Sequence, residues 1–229
     1  MITPASTLLT HDSPNRALLV IDVQNDFIPG GALAVPGGDE IVPLVNQLGR
    51  QFERVVLAQD WHPAGHASFA SSHPGKNPFE VIELSYGPQT LWPDHCIQGS
   101  PGAQFHPDLN IAHAQLIVRK GGNRQVDSYS AFTEANQTTP TGLAGNLRER
   151  GIDTLFLCGL ALDFCVAWTA LHARREGFAT YVVLDACRAI DTAGSCAAAM
   201  AQMQAAGVQF IQARQLGGAS RGALPDVVA

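Results

Sequence analysis

Residues 154–177, TLFLCGLALDFCVAWTALHARREG, decide how the chain reads. Thr154 to Cys158 is an apolar run with the length of one buried strand, and Gly159 stops it. Asp163 is a good helix N-cap, and the helix it opens ends on Arg174 and Arg175 before Gly177, so charge suits both ends of the helix dipole. A second apolar run, Thr180 to Leu184, follows. Strand, helix and strand in this order make a βαβ unit. A strand that is apolar along its whole length belongs in a parallel sheet covered on both faces.

The alternation extends in both directions. Ala17 to Val23, Arg54 to Ala58, Gln115 to Arg119 and Val208 to Ile211 bring the candidate strands to six. One helix opens near Asp39 and Glu40, with Ile41, Leu44, Val45, Leu48 and Phe52 on a single face. Another runs from Thr141 to Arg150 and stops at Gly151, and an alanine-rich one follows Asp191 or Thr192 and closes at Gly207. The expected fold is α/β, a three-layer doubly wound six-stranded, mostly parallel sheet of Rossmann-like type. One region departs from it: residues 61–110 are rich in Pro, Gly, His and Ser, with at most a short strand at Glu80 to Leu84. Loops that long inside a compact domain are usually functional. Residues 17–216 read as the domain, 1–16 as a loose N-terminal extension and 217–229 as a C-terminal tail.

Composition narrows the function classes. At 229 residues the chain is one large domain, and 46% apolar against 15% charged residues excludes disorder for most of it. A net charge of −6 provides no basic stripe, so nucleic acid and anionic membrane are not expected partners. No run approaches the ~18 to 20 apolar residues of a membrane span, and MITPASTLLTHDSPNR does not read as a signal peptide. The expected location is therefore cytoplasmic. Five cysteines, an odd number in a chain that needs no staples, leave at least one free thiol.

Ligands in open α/β sheets bind outside the carboxyl ends of the strands, so the polar residues there are the candidates. They are Asp22 after the first strand, Asp60 and His62 after the second, Lys120 after the third and Cys165 after the fourth. Asp60 and His62, two apart, share a face if the stretch is extended; His66 is four further on, and His95 lies in Trp92-Pro93-Asp94-His95-Cys96. Carboxylate and imidazole together suit Zn²⁺, Fe²⁺ or Mn²⁺. Asp60 and His62 alone read equally well as a turn residue and a solvated loop histidine. Cys165, in the first turn of a helix, sits where N–H groups and the dipole favour a thiolate, although most free cysteines are simply packed. Packing is the expected role of Cys96, Cys158, Cys187 and Cys196. Lys120 beside a thiol would steady its anion, and by itself would be a surface lysine.

The stretch Val20-Ile21-Asp22-Val23-Gln24-Asn25-Asp26-Phe27 resembles the opening of nicotinamidases among the isochorismatase-like cysteine hydrolases. Gln59-Asp60-Trp61-His62-Pro63, Trp92-Pro93-Asp94-His95-Cys96, Lys120-Gly121, Tyr129-Ser130-Ala131-Phe132 and Gly159 to Val166 resemble that family's blocks in order, over residues 17–214. The resemblance implies hydrolysis of nicotinamide to nicotinate and ammonia, in NAD salvage, with pyrazinamide as a side substrate. It implies Cys165 as nucleophile, Asp22 as general base and then acid, and Lys120 as the steadying cation. The oxyanion hole would be the N–H groups of Ala161 and Cys165, with a cis bond before Ala161. One divalent ion, Zn, Fe or Mn, would be held by Asp60, His62 and His95, with His66 a further ligand or a neighbour of the ligands. Phe27, Trp92 and Tyr129 would line the pyridine pocket. Competing readings are a relative acting on isochorismate, N-carbamoylsarcosine or ureidoacrylate, and a catalytically silent metal-binding interaction module. Monomer and homo-oligomer are both compatible with the sequence.

Overall fold

The computed structural model describes residues 13–216; residues 1–12, the greater part of the expected N-terminal extension, and 217–229, the expected tail, lie outside the described residues. Arg16–Ile21 (β1) is buried from Ala17 onward and runs between two parallel neighbours, Val55–Asp60 (β2) and Thr154–Gly159 (β6). Leu116–Lys120 (β5) adds outside β2, while Ala179–Cys187 (β7) and Gln209–Ile211 (β8) add outside β6. Every pairing in this six-stranded sheet is parallel. The chain leaves β1 in one direction and returns to β6 on its other side, so the sheet reverses between these two strands and opens a crevice at their carboxyl ends.

Helices cover the sheet as right-handed crossovers demand. Val42–Gly49 (α1) connects β1 to β2 and packs on β1 and β7. Leu143–Glu149 (α2) leads into β6, Ala167–Arg175 (α3) into β7 and Ser195–Ala205 (α4) into β8. These three connect strands in the opposite direction and so occupy the opposite face. The β2-to-β5 crossover is the long segment read as irregular from the sequence. It holds a hairpin of Val81–Leu84 (β3) and Gly87–Thr90 (β4), of which only the first strand was expected.

Two local departures bear on the site. β2 runs two residues past the expected Ala58, because the backbone of the polar Gln59 and Asp60 still pairs with Arg119 and Lys120 of β5. Asp163 is not a helix N-cap. Leu162–Val166 form one π-helical turn ahead of α3, and the Asp163 carboxylate instead accepts the N–H groups of Ile190 and Asp191 and the Ser195 hydroxyl, at 3.1, 2.8 and 2.5 Å. A neighbouring segment with unpaired donors outcompetes the local turn. Among the described residues, no helix is long and apolar enough to cross a membrane.

Candidate active site

The four candidate side chains arrive from four strand ends. β1 stops at Ile21 because Asp22 turns into the left-handed region, φ 49°, which swings its carboxylate out of the ladder. Asp60 and Lys120 close β2 and β5 as register partners. Cys165 follows β6 on the π-helical turn. Gly159 permits the approach of that turn to β1: a Cβ there would collide with the Ile21 carbonyl, and its φ of 121° suits glycine.

Lys120 is the hub. Its fully buried ammonium lies 2.8 Å from Asp22 Oδ2, 2.9 Å from Asp60 Oδ1 and 3.4 Å from Cys165 Sγ, and donates to the Ser128 carbonyl at 3.2 Å. Burial works against its charge, but the two carboxylates outweigh burial and hold its pKa well above the ordinary lysine value. Burial is also the largest influence on Asp22; Lys120 pulls the other way, and the carboxyl settles at about 6 against an ordinary 3.8. The Cys165 thiol is pushed well up by burial, which Lys120 does not offset, and Asp22 and Asp60 add to the rise. Burial thus favours the protonated thiol, where the start of a helix was expected to favour the thiolate, and the Asp22 carboxyl lies beside it.

The second oxygen of Asp60 faces two imidazoles. Oδ2 is 3.1 Å from His62 Nε2 and 3.4 Å from His95 Nε2. The other ring nitrogens are committed: His62 Nδ1–H donates to the Gly121 carbonyl at 3.0 Å and His95 Nδ1–H to the Pro93 carbonyl at 2.8 Å. With Nδ1 committed, each ring presents its Nε2 to the same carboxylate oxygen. Three ligand atoms this close, one from each side chain, can hold one divalent cation. Ligands bound at about 2.1 Å with angles between about 90° and 110° stand about 3.0 to 3.4 Å apart, which these separations match. Gly121 belongs to this arrangement, since a Cβ there would run into the His62 ring. His66 falls outside the three. It groups with His62 and Asp127, and its Nδ1 accepts the Ser68 N–H at 3.2 Å, leaving the proton on Nε2.

Between the thiol and the imidazoles lies a cleft, partly open to solvent, with about 320 Å³ free of protein atoms. Phe27, Trp92 and Tyr129 line it, as does Ala161, which follows a cis peptide bond. Among the described residues the Ala161 N–H meets no acceptor. Trp92 Nε1–H and Gln89 Nε2–H both donate to the Tyr129 hydroxyl, each at 3.0 Å, and Gln89 also donates to Asp127 at 2.9 Å. Sequence reasoning missed Leu33, Asp127, Phe164 and Ile190 in this lining. Asp127 stands two residues before Tyr129, which opens one of the family-like blocks, and that is the one signal that could have found it. Ile190 carries no sequence signal, because the Asp163 contacts bring it in.

The family described as Isochorismatase domain matches residues 16–215. A nicotinamidase of Acinetobacter baylyi is 57% identical over 202 residues, which cover 88% of this chain and 94% of that protein. Among solved structures, a nicotinamidase/pyrazinamidase of Acinetobacter baumannii superposes with a TM-score of 0.89 at 60% identity, covering 90% of this chain and 100% of its own. A zinc complex of the Pyrococcus horikoshii pyrazinamidase superposes with a TM-score of 0.71 at 36% identity, covering 87% and 99%.

Proposed function

The chain belongs to the isochorismatase family, and on that footing we propose that it hydrolyses nicotinamide to nicotinate and ammonia through a thioester on Cys165, in the salvage of NAD. The observation that carries this reading is the Lys120 ammonium in contact with Asp22, Asp60 and Cys165 at once, which joins a proton acceptor and a thiol to a metal-holding trio. Pyrazinamide, an amide on a related ring, is a second substrate.

An amide is a poor electrophile, and a thiolate divides its hydrolysis into two easier displacements. Asp22 takes the Cys165 proton as the sulfur attacks the carbonyl carbon. The carbonyl oxygen becomes an oxyanion held by the N–H groups of Ala161 and Cys165, donors that are each worth about 10²-fold or more in rate. Asp22 returns the proton to the amide nitrogen, the carbon–nitrogen bond breaks and ammonia leaves. Water then gives a proton to Asp22 as it attacks the thioester, and as the carbon–sulfur bond breaks Asp22 hands that proton to sulfur, which frees the pyridine carboxylic acid, ionised to nicotinate, and restores both the thiol and the Asp22 carboxylate. Lys120 keeps its charge throughout and limits the cost of an anion on either Asp22 or sulfur. Asp60, His62 and His95 would hold one divalent ion, and zinc fits this donor set. A bound ion offers a Lewis-acid site to the ring nitrogen and so selects and orients an azine ring. Phe27, Trp92 and Tyr129 enclose that ring. A free catalytic thiol suits a reducing compartment, so we assign the protein to the cytoplasm.

The test is ammonia release from nicotinamide by the purified chain and by Cys165→Ala. Turnover of nicotinamide, abolished in the variant, is the expected result; undiminished turnover in the variant rules out the nucleophile.

A further inference from the structure

Gln24 has no part in the chemistry above, yet its side chain is wholly buried against the backbone of Asp60. Its Oε1 accepts the Asp60 N–H at 2.7 Å, and its Nε2 donates to the Asp60 carbonyl at 2.8 Å and to the Ala103 carbonyl at 2.9 Å, with Cys96 Sγ at 3.4 Å. One carboxamide thus binds both backbone groups of the first ligand and touches the residue that follows His95.

The need for it follows from the turn at Asp22. The Asp22 N–H still donates to the Ala58 carbonyl, at 3.2 Å, as a parallel ladder requires. In an unbroken ladder the next bond would run from the Asp60 N–H to the Asp22 carbonyl. With Asp22 in the left-handed region, that carbonyl turns away and accepts the Gln24 N–H at 2.8 Å instead. The Asp60 N–H would be left without a partner in a buried place. The Gln24 side chain replaces the missing stretch of strand. The turn that frees the base and the backbone that carries the metal ligand are therefore closed by a single residue.

We propose that Gln24 is a positioning residue for the metal site, locking the Asp60 backbone and the 96–103 segment into the spacing at which Asp60, His62 and His95 grip one divalent ion. This rests on the assignment of those three residues as the metal-holding set. Without the carboxamide the Asp60 N–H and carbonyl lose their side-chain partner, and the Ala103 carbonyl keeps only the bond from the Gln59 side chain. Partners that orient metal ligands typically contribute about 10- to 100-fold in affinity, which sets the expected effect.

The experiment measures zinc dissociation by competition with a chromophoric chelator, well below the unfolding temperature, together with hydrogen exchange at the Asp60 amide. The samples are the full chain, Gln24→Met, which keeps the volume, and Gln24→Asn, which keeps the amide but is too short to span the gap. We expect zinc held at least about 10-fold more weakly in both variants and faster exchange at Asp60. A role confined to overall stability would lower the unfolding temperature and leave the zinc constant of the folded fraction unmoved. If Gln24→Met does not fold, Gln24→Asn decides alone. Zinc held within twofold of the unmodified chain by a folded variant overturns the proposal. His95→Ala separates this from the underlying assignment, since zinc retained in that variant refutes the three-residue site whatever the Gln24 variants do.

Discussion

Lys120 and Asp60 end adjacent parallel strands as register partners, and the ammonium of one lies 2.9 Å from Oδ1 of the other. Because Asp60 Oδ2 faces the imidazoles, this carboxylate connects the end of the site that holds a metal to the end that holds the thiol. Lys120 is common to both halves, and the consequences of losing it extend beyond catalysis.

Lys120→Met would leave Asp22 and Asp60 as two buried carboxyls with no ammonium between them. Removing one partner of a buried ion pair costs about 3 to 5 kcal/mol, so urea denaturation at neutral pH is expected to show a loss of that size, shrinking as the pH falls and the carboxyls are protonated. Turnover should fall by at least about 10²-fold, since the charge that lowers the cost of the thiolate is gone. A variant of unchanged stability would mean that the buried charges are compensated by other groups.

The acid limb of the rate profile belongs to Asp22. It takes the thiol proton only when ionised, and its carboxyl is raised to about 6, so kcat/KM is expected to fall tenfold per pH unit below about 6. The same shift has a signature in stability. A folded-state value above the ordinary 3.8 means that the folded chain binds this proton more tightly, so the contribution of Asp22 is fully present below about pH 4 and is lost as pH rises through about 6. Asp22→Asn should abolish turnover and flatten that part of the stability curve. Survival of the limb in the residual activity of the Asp22→Asn variant would assign it to another group.

Chelation is expected to reduce selectivity more than it disturbs the fold. If the ion held by Asp60, His62 and His95 receives the ring nitrogen, nicotinamide should lose its advantage over benzamide, which has the same amide and no ring nitrogen. The kcat/KM ratio of the two amides, before and after chelation and again after zinc is returned, is the measurement. A ratio that does not move would assign the metal a purely structural role.

Asp163 holds the cavity wall. Its carboxylate binds the N–H groups of Ile190 and Asp191 and the Ser195 hydroxyl, and the segment it secures has left-handed residues at Asp191 and Ala193. Asp163→Ala strands these donors and should cost about 1 to 3 kcal/mol by thermal or urea unfolding. Because Ile190 lines the cavity, KM for nicotinamide is expected to rise several-fold with a smaller change in kcat, and Asp163→Asn should restore part of it. A fall confined to kcat would place the effect on the nucleophile's turn and not on the wall.

Local pattern alone settled the layered α/β fold and which polar side chains stand at its strand ends. A buried parallel strand must be apolar throughout, and a doubly wound sheet must bring its strand ends to one edge, so Asp22, Asp60, Lys120 and Cys165 could be assembled from local pattern alone. Tertiary structure decided what those groups are like. The preference for a protonated thiol follows from burial, which no local pattern reports. Asp163 was expected at a helix start and serves a segment some thirty residues away, because donors left unpaired by that segment compete for the same oxygens. Asp127, Ile190 and the Gln24 carboxamide act through contacts between distant stretches of chain. Periodicity and capping rules describe a residue's neighbours along the chain, whereas proton affinity, cavity shape and the pairing of buried polar groups depend on neighbours in space.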